Sequence, residues 1–351
     1  MKRISITVNG KRCESVEKGT VKDALESAGL KFGIFPGEGD LQAPCGTGGC
    51  HTCMVLQNKE PVRACVTPVE DEGVIETELP AGFVPLRIIH GPSPHSVGGK
   101  ATPWWLKARP GGYIEVAIWA AGCNLRCPQC QNYAITCDSK SRPKTPQEAA
   151  RLITSARQLY GVDRMAISGG EPTLNRPWLT EYFKELKRLN PDGQARLHLD
   201  SNGTILTPDY IDELVLKCGV TDIGIEPKGV RKETFMEITG MGDEKLVERY
   251  MQTQWEGIYH ILQNYRDRVF LGVGFPYNRA FMKMDEVSEF GKKLSGLDPE
   301  VQVCVLDYFP AFRRKDLKRP DVDEMLEVKE ALHEAGLRTV LVQTSRGHFG
   351  P

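Results

Sequence analysis

Seven of the eleven cysteines fall into two tight groups: Cys45, Cys50 and Cys53 with Cys65 close behind, then Cys123, Cys127 and Cys130. Any fold the chain adopts must therefore build two loops that gather thiols. In a small secreted chain this density would read as a disulfide scaffold. A chain of 351 residues can bury a core without covalent staples, so the spacing points to metal or redox chemistry. No N-terminal run joins a basic segment to an apolar stretch of leader length, and no stretch of about 18 apolar residues could span a bilayer. The expectation is a cytoplasmic protein with no membrane partner. Forty-five basic against forty-six acidic residues give a formal charge of −1, which offers no electrostatic footprint for nucleic acid.

The first eighty residues pattern differently from the rest. Ile4, Ile6 and Val8 alternate with polar neighbours as a strand does, Gly10 marks a turn, and a second strand is expected around Cys13 to Val16. Val21, Ala24, Leu25 and Ala28 fall at helical spacing, with Thr20 as cap and Gly29 as stop. From 81 to 112 the density of Pro85, Pro92, Pro94, Pro103 and Pro110, with Gly98, Gly99, Gly111 and Gly112, predicts a connector, although Trp104 and Trp105 are costly to leave wet. Beyond it, short apolar runs alternate with amphipathic helices, the pattern of a parallel sheet wrapped by helices. Strands are predicted near 114–119, 164–168, 196–200, 222–226, 269–275 and 301–306, with another at 339–342. Thr145-Pro146-Gln147-Glu148 carries a reciprocal helix cap, and Thr207-Pro208 repeats the start signal. The fold class is α/β: a small α+β domain over 1–80, a connector over 81–112, and a partial (β/α)6 barrel over 113–351.

Cys45-x4-Cys50-x2-Cys53 with a distant Cys65 is the plant-type spacing for a [2Fe–2S] cluster. Gly46, Gly48 and Gly49 let such a loop bend and turn N–H groups towards sulfur. A zinc site, the alternative, prefers paired Cys-x2-Cys spacings from two separate knuckles. The stretch resembles plant-type two-iron ferredoxins of the β-grasp fold over residues 1 to about 80. His51 stands where that family often has glycine.

Cys123-x3-Cys127-x2-Cys130 follows directly on the strand ending at Trp119, at the C-terminal edge where barrel sites form. Three thiolates hold three corners of a [4Fe–4S] cube and leave the fourth iron open to a chelating ligand. The motif GCNLRCPQCQN, residues 122–132, resembles the radical S-adenosylmethionine superfamily, in which the methionyl amine and carboxylate take that iron. Ser168-Gly169-Gly170-Glu171-Pro172 matches the family's glycine–glycine–glutamate–proline motif for the methionyl amine. Asp200-Ser201-Asn202 and Glu226-Pro227-Lys228, again at strand ends, resemble the branch of glycyl-radical-activating enzymes (pyruvate formate-lyase activase) and Memo-associated radical proteins. The resemblance covers about 240 residues and implies Gly169, Gly170, Glu171, Asp200, Ser201, Asn202, Glu226 and Lys228 as contacts to S-adenosylmethionine, with Lys228 neutralising its carboxylate.

The family usually has an aromatic residue where this chain has Gln129, and relatives often place a histidine near Phe309, where this chain has none. Blander readings stand beside these. Glu171 would serve as a helix-start acid, Asp200 and Asn202 as turn formers, and Lys228 as a solvated lysine. Cys13, Cys137, Cys218 and Cys304 read as small core residues, with Cys137 alone near enough to face the cavity.

The resemblance implies an anaerobic oxidoreductase that reductively cleaves S-adenosylmethionine to a 5′-deoxyadenosyl radical, which abstracts hydrogen from substrate. Plant-type clusters sit near about −400 mV, so the N-terminal domain is expected to pass electrons from an external low-potential reductase to the barrel cluster, within the chain or across a dimer. The substrate is expected to be a glycyl radical enzyme, or else a peptide or small molecule; Arg313, Arg314 and Lys315 read first as a solvated basic loop and second as a place for a protein partner to dock. A non-catalytic iron–sulfur electron carrier is the other class of reading.

Overall fold

Alternation of Ile4, Ile6 and Val8 builds the first strand because their shared face buries against a short helix. In a computed structural model describing residues 3–107 and 111–351, β1 (Arg3–Val8) pairs antiparallel with β2 (Lys11–Val16). The helix Val21–Ser27 carries the expected Thr20 cap, reciprocated by Asp23. After the short β3 (Phe32–Gly33) and β4 (Leu41–Gln42) come β5 (Met54–Gln57), β6 (Glu60–Arg63) and β7 (Val74–Glu76), giving a sheet of order β2-β1-β7-β5-β6. Ile4, Ile6, Val21, Leu25, Val55 and Ile75 form its core. This is the small α+β domain expected in the N-terminal part of the chain.

The second sheet has nine strands. β8 (Ile89–His95) lies antiparallel to β9 (Glu115–Ala120). Then β10 (Arg164–Gly169), β11 (Arg196–Ser201), β12 (Asp222–Ile225), β13 (Phe270–Tyr277), β14 (Gln302–Asp307) and β15 (Val340–Thr344) continue in parallel, and β16 (Gly347–Phe349) closes the far edge antiparallel. Helices including Pro146–Tyr160, Arg176–Leu189, Glu244–Asn264, Met284–Ser295 and Val322–Glu334 cover the outside, where Ile153, Phe183, Leu199, Ile258, Phe290 and Val328 share one core. The Thr145–Glu148 cap forms as expected.

The stretch read as a connector differs from expectation. Ile89–His95 is a full strand of the barrel sheet, and residues 98–102 thread into the barrel lumen. Arg164 Nη2 donates to the Ala101 carbonyl (3.0 Å), and Gln302 Nε2 donates to the carbonyls of Lys100 (3.0 Å) and Thr102 (2.9 Å). Gly99 N and Thr102 Oγ1 donate to the buried Glu115 carboxylate at 3.3 and 3.0 Å. Where a barrel usually fills its interior with layers of branched side chains, Gly224, Gly272 and Gly274 leave room for this strap. A Cβ on Gly272 would lie 2.2 Å from the Lys100 carbonyl oxygen. Trp104 and Trp105 pack edge to face behind it, while Pro110 lies outside the described residues. Among those residues no helix is long and apolar enough to cross a membrane.

Candidate active site and cluster pockets

In the first cysteine loop, Gly46 and Gly48 adopt left-handed backbone (φ 57° and 83°), and so does His51 (φ 56°). The left-handed φ is the physical reason a glycine suits position 51. The His51 ring is buried with neither nitrogen partnered, and burial pushes its pKa down to about 4. Cys45 and Cys50 sulfurs stand 3.1 Å apart. Thr47 N, Cys65 N and Thr52 Oγ1 point at the sulfurs of Cys45, Cys53 and Cys50 from 3.4, 3.5 and 3.3 Å. Cys45 and Cys53 are held below the usual thiol range, chiefly by hydrogen bonds from Cys50 and Cys65 respectively. Four sulfurs close enough to share protons, ringed by N–H and O–H donors, fit a cationic cluster core that takes the place of those protons.

The second loop leaves the C-terminal end of β9. Leu125 N points at Cys123 Sγ (3.4 Å), Asn202 Nδ2 approaches the same sulfur (3.8 Å), and Thr136 Oγ1 lies 3.8 Å from Cys130 Sγ. Burial pushes the Cys127 thiol up to about 11, opposed by the nearby Lys228 charge, so a bound cation is needed to keep these ligands ionised. Among the described residues no three His, Cys, Asp or Glu side chains converge on a single-ion site. The fit to a multi-iron body rests on the donor chemistry itself.

Cys123, Cys127 and Cys130 line a cavity of about 200 Å³ together with Gly169, Gly170, Asp200, Ser201, Asn202, Glu226 and Lys228. All but one of the strand-end residues singled out from the motifs thus meet at one place. The exception is Glu171. It is fully buried behind the cavity, where its carboxylate accepts from Thr173 N (3.0 Å), Thr173 Oγ1 (2.7 Å), Ser201 Oγ (2.8 Å) and Asn202 N (2.6 Å). It caps the short turn that follows and fixes the end of β11. The two glycines before it are required by packing, Gly169 against the end of β9 and Gly170 against the cysteine loop. A Cβ on Gly169 would lie 2.4 Å from Ala120 N, and one on Gly170 2.2 Å from the Gly122 carbonyl oxygen.

Charge is dense on the cavity floor. Lys228 pairs with Glu226, and Asp200 Oδ1 lies 3.1 Å from His198 Nε2. Lys100 Nζ, from the strap, sits 3.6 Å from Asp200 and 3.4 Å from Glu226. Against the penalty of burial, Lys100 and His198 hold Asp200 well below the usual carboxylate range, and Asp200 and Glu115 lift His198 to about 9. Sequence reasoning missed Lys100, which lies in a stretch composed like a linker. The signal that could have found it is the set of glycines inside β12 and β13, since glycine within a strand marks close approach by another backbone. Tyr308 also lines the cavity, and Arg87, another missed residue, is fully buried and donates to the carbonyls of Ala121 (3.1 Å), Glu171 (2.5 Å) and Pro172.

Of the remaining cysteines, Cys218 and Cys304 are buried as expected, whereas Cys13 is only partly covered and Cys137 is exposed and outside the cavity lining. Gln129 is buried and donates to the Ile238 carbonyl (3.1 Å). Arg314 pairs with Glu237 (3.0 Å).

The two cysteine loops touch. A Cβ on Gly122, one residue before Cys123, would lie 2.9 Å from Cys50 N and 3.0 and 3.1 Å from the Cβ atoms of Cys50 and Cys45. Arg126 Nη2 donates to the Cys45 carbonyl and Asn175 Nδ2 to the Cys50 carbonyl, at 2.7 and 2.9 Å. Cys45, Cys50, Cys123, Cys127, Leu125, Phe35 and Tyr250 share one apolar cluster. Arg249 completes the clamp, paired with Glu38 (2.7 Å) and lying over the Phe35 ring.

Residues 118–279 match the family described as the radical SAM superfamily, and residues 1–80 match the 2Fe-2S iron-sulfur cluster binding domain. A Methanocaldococcus jannaschii protein provisionally named a glycyl-radical enzyme activating enzyme is 24% identical over 218 residues, 62% of this chain and 76% of that one. The AdoMet-dependent heme synthase of Methanosarcina barkeri is 35% identical over 34% of this chain and 32% of its own. The GTP 3′,8-cyclase of Bradyrhizobium diazoefficiens is 32% identical over 39% of each chain. The match thus spans about a third and two-fifths of the length of these last two relatives. Among solved structures, coproporphyrinogen III oxidase of Escherichia coli aligns with a TM-score of 0.43 at 16% identity, over 65% of this chain and 53% of that one.

Proposed function

Because this chain carries a radical SAM superfamily domain behind a 2Fe–2S cluster-binding domain, we propose that it is a self-wired activating-type enzyme, in which the N-terminal domain feeds electrons directly to the barrel site of the same chain. Bound together, a [4Fe–4S] cluster and S-adenosylmethionine supply reductive carbon–sulfur cleavage and a 5′-deoxyadenosyl radical for hydrogen abstraction. The chain's own residues do the rest. Cys123, Cys127 and Cys130 would hold the four-iron cluster, and Cys45, Cys50, Cys53 and Cys65 the two-iron cluster. Asp200, Ser201, Asn202 and Glu226 present acceptors and donors at the cavity for the nucleoside and methionyl groups, and Lys228 offers the cation for a carboxylate. The supporting observation is the Gly122 contact with Cys45 and Cys50. It sets the two cysteine loops against each other beside a shared apolar cluster, and so favours transfer within one chain over docking across a dimer.

Anaerobic incubation with dithionite and S-adenosylmethionine is expected to release 5′-deoxyadenosine; its absence would favour the electron-carrier reading. With a low-potential protein reductase as donor, Cys45→Ser or Cys53→Ser is expected to lose turnover, and unchanged turnover would defeat the relay. A glycine in a partner protein is the favoured substrate over a peptide or small molecule, supported by the name of the M. jannaschii relative and by the aromatic pair Tyr133 and Phe312 stacked at 4.7 Å beside the basic run Arg313–Lys315. A protein-borne radical signal on mixing with a glycyl radical protein would support it.

A further inference from the structure

The cavity floor holds two lysines, and they are not equivalent. Lys228 follows β12 in the barrel itself and is engaged with Glu226 Oε1. Lys100 arrives from outside the strand–helix repeat, carried by a strap whose carbonyls at 100, 101 and 102 are each bonded to a buried side chain of the lumen. The lumen is emptied for it. A Cβ on Gly274 would lie 2.2 Å from Lys100 Cδ, and one on Gly224 3.1 Å from Lys100 Cβ. Its ammonium stands between the ends of β11 and β12, within 3.6 Å of a carboxylate from each, yet at neither does it reach the 2.7–2.9 Å of a tight charge-assisted bond. A cation so placed fixes where two acceptors point without saturating either.

We infer that Lys100 is a positioning residue that holds the Asp200 and Glu226 carboxylates, ionised and apart, as the acceptor pair for S-adenosylmethionine. This rests on the functional reading above and adds to it a residue outside the barrel repeat. Without Lys100, Asp200 keeps only His198 and Glu226 only Lys228. Each carboxylate would then swing towards its remaining cation and out of the place it now holds, or take up a proton and lose an acceptor.

The test is equilibrium dialysis of S-adenosylmethionine against the anaerobically reconstituted, oxidised holoenzyme, in which no cleavage competes. Iron content and melting temperature are measured on every variant. Lys100→Met is expected to weaken binding on the order of tenfold or more, the loss of a hydrogen bond to charged groups. In an Asp200→Asn, Glu226→Gln background the same change should cost less than about threefold, because both groups it acts through are gone. Gly274→Ala, which keeps every charge and crowds the lysine stem, should weaken binding in the same direction, so the inference survives a failure of Lys100→Met to fold. Unchanged affinity in Lys100→Met, or in Gly274→Ala where Lys100→Met does not fold, would overturn it. So would a loss that multiplies fully in that background, since Lys100 would then touch the ligand independently of both carboxylates. A wild-type holoenzyme that binds no S-adenosylmethionine would instead overturn the functional reading.

Discussion

Gly122→Ala tests whether the two ligand loops depend on their mutual contact. Gly122 has φ 83°, so alanine there carries a left-handed strain of about 1–2 kcal/mol. Its methyl would also press on Cys50 N and on the Cβ atoms of Cys50 and Cys45 from 2.9 to 3.1 Å, an overpacking cost of about 1–3 kcal/mol in a seam that cannot relax freely. Gly161→Ala supplies the control, because Gly161 has φ 62° and no neighbour within 4 Å of the place its methyl would take. It carries the strain without the crowding. Anaerobic urea unfolding of the holoprotein should therefore place Gly122→Ala about 1–3 kcal/mol below Gly161→Ala, and rapid-freeze electron paramagnetic resonance should show slower reduction of the barrel cluster by the N-terminal one in the first variant only. Equal destabilisation by the two substitutions, with unaltered transfer, would refute the argument that the loops bear on each other.

Glu171→Gln should lower stability by about 1–3 kcal/mol, because three of the four donors meet Oε1 and one, Asn202 N, meets Oε2, so an amide in either orientation turns its own donor towards at least one of them; urea melts check it. Arg87→Leu leaves the buried carbonyls of Ala121 and Pro172 without this donor and that of Glu171 with the Leu174 N–H at 3.5 Å and should cost about 3–5 kcal/mol, with hydrogen exchange in the N-terminal sheet of the full chain unchanged. Against the penalty of burial, His198 has its pKa raised from the ordinary 6.5 to about 9 by Asp200 and Glu115. Its contribution is therefore complete below pH 6.5 and is lost as pH rises through about 9, roughly 3 kcal/mol in all. Unfolding free energies measured from pH 6 to 10 should show that fall in the wild type and a flatter profile in His198→Gln; parallel profiles would count against it.

The barrel strands were legible because periodicity is local. The stretch expected at 196–200 is Arg196–Ser201, with Leu197 and Leu199 in the outer core and His198 and Asp200 among the lumen charges. The cysteine loops were legible because ligand spacing is local too. The strap was not. Its glycines and prolines read as a linker, and what holds it in place, such as Gln302 bonded to the Lys100 and Thr102 carbonyls, lies some two hundred residues away in sequence. Glu171 shows a different limit. A motif can bring a residue next to a cavity and still hide that its carboxylate faces backwards, because only packing decides which way a buried acid turns. His51 was noticed for its identity, and the backbone angle it adopts explains the substitution without revealing what the unpartnered ring contributes.

The strap also sets where this protein can be cut. Residues that complete the interior of the barrel are encoded upstream of its first parallel strand, so a graft that exchanged the N-terminal domain at residue 113 would remove part of the recipient as well. A junction near residue 81 is expected to keep the strap with the barrel. A shortened version beginning at 113 would have a hollow centre and an acid pair facing it with one counter-ion missing.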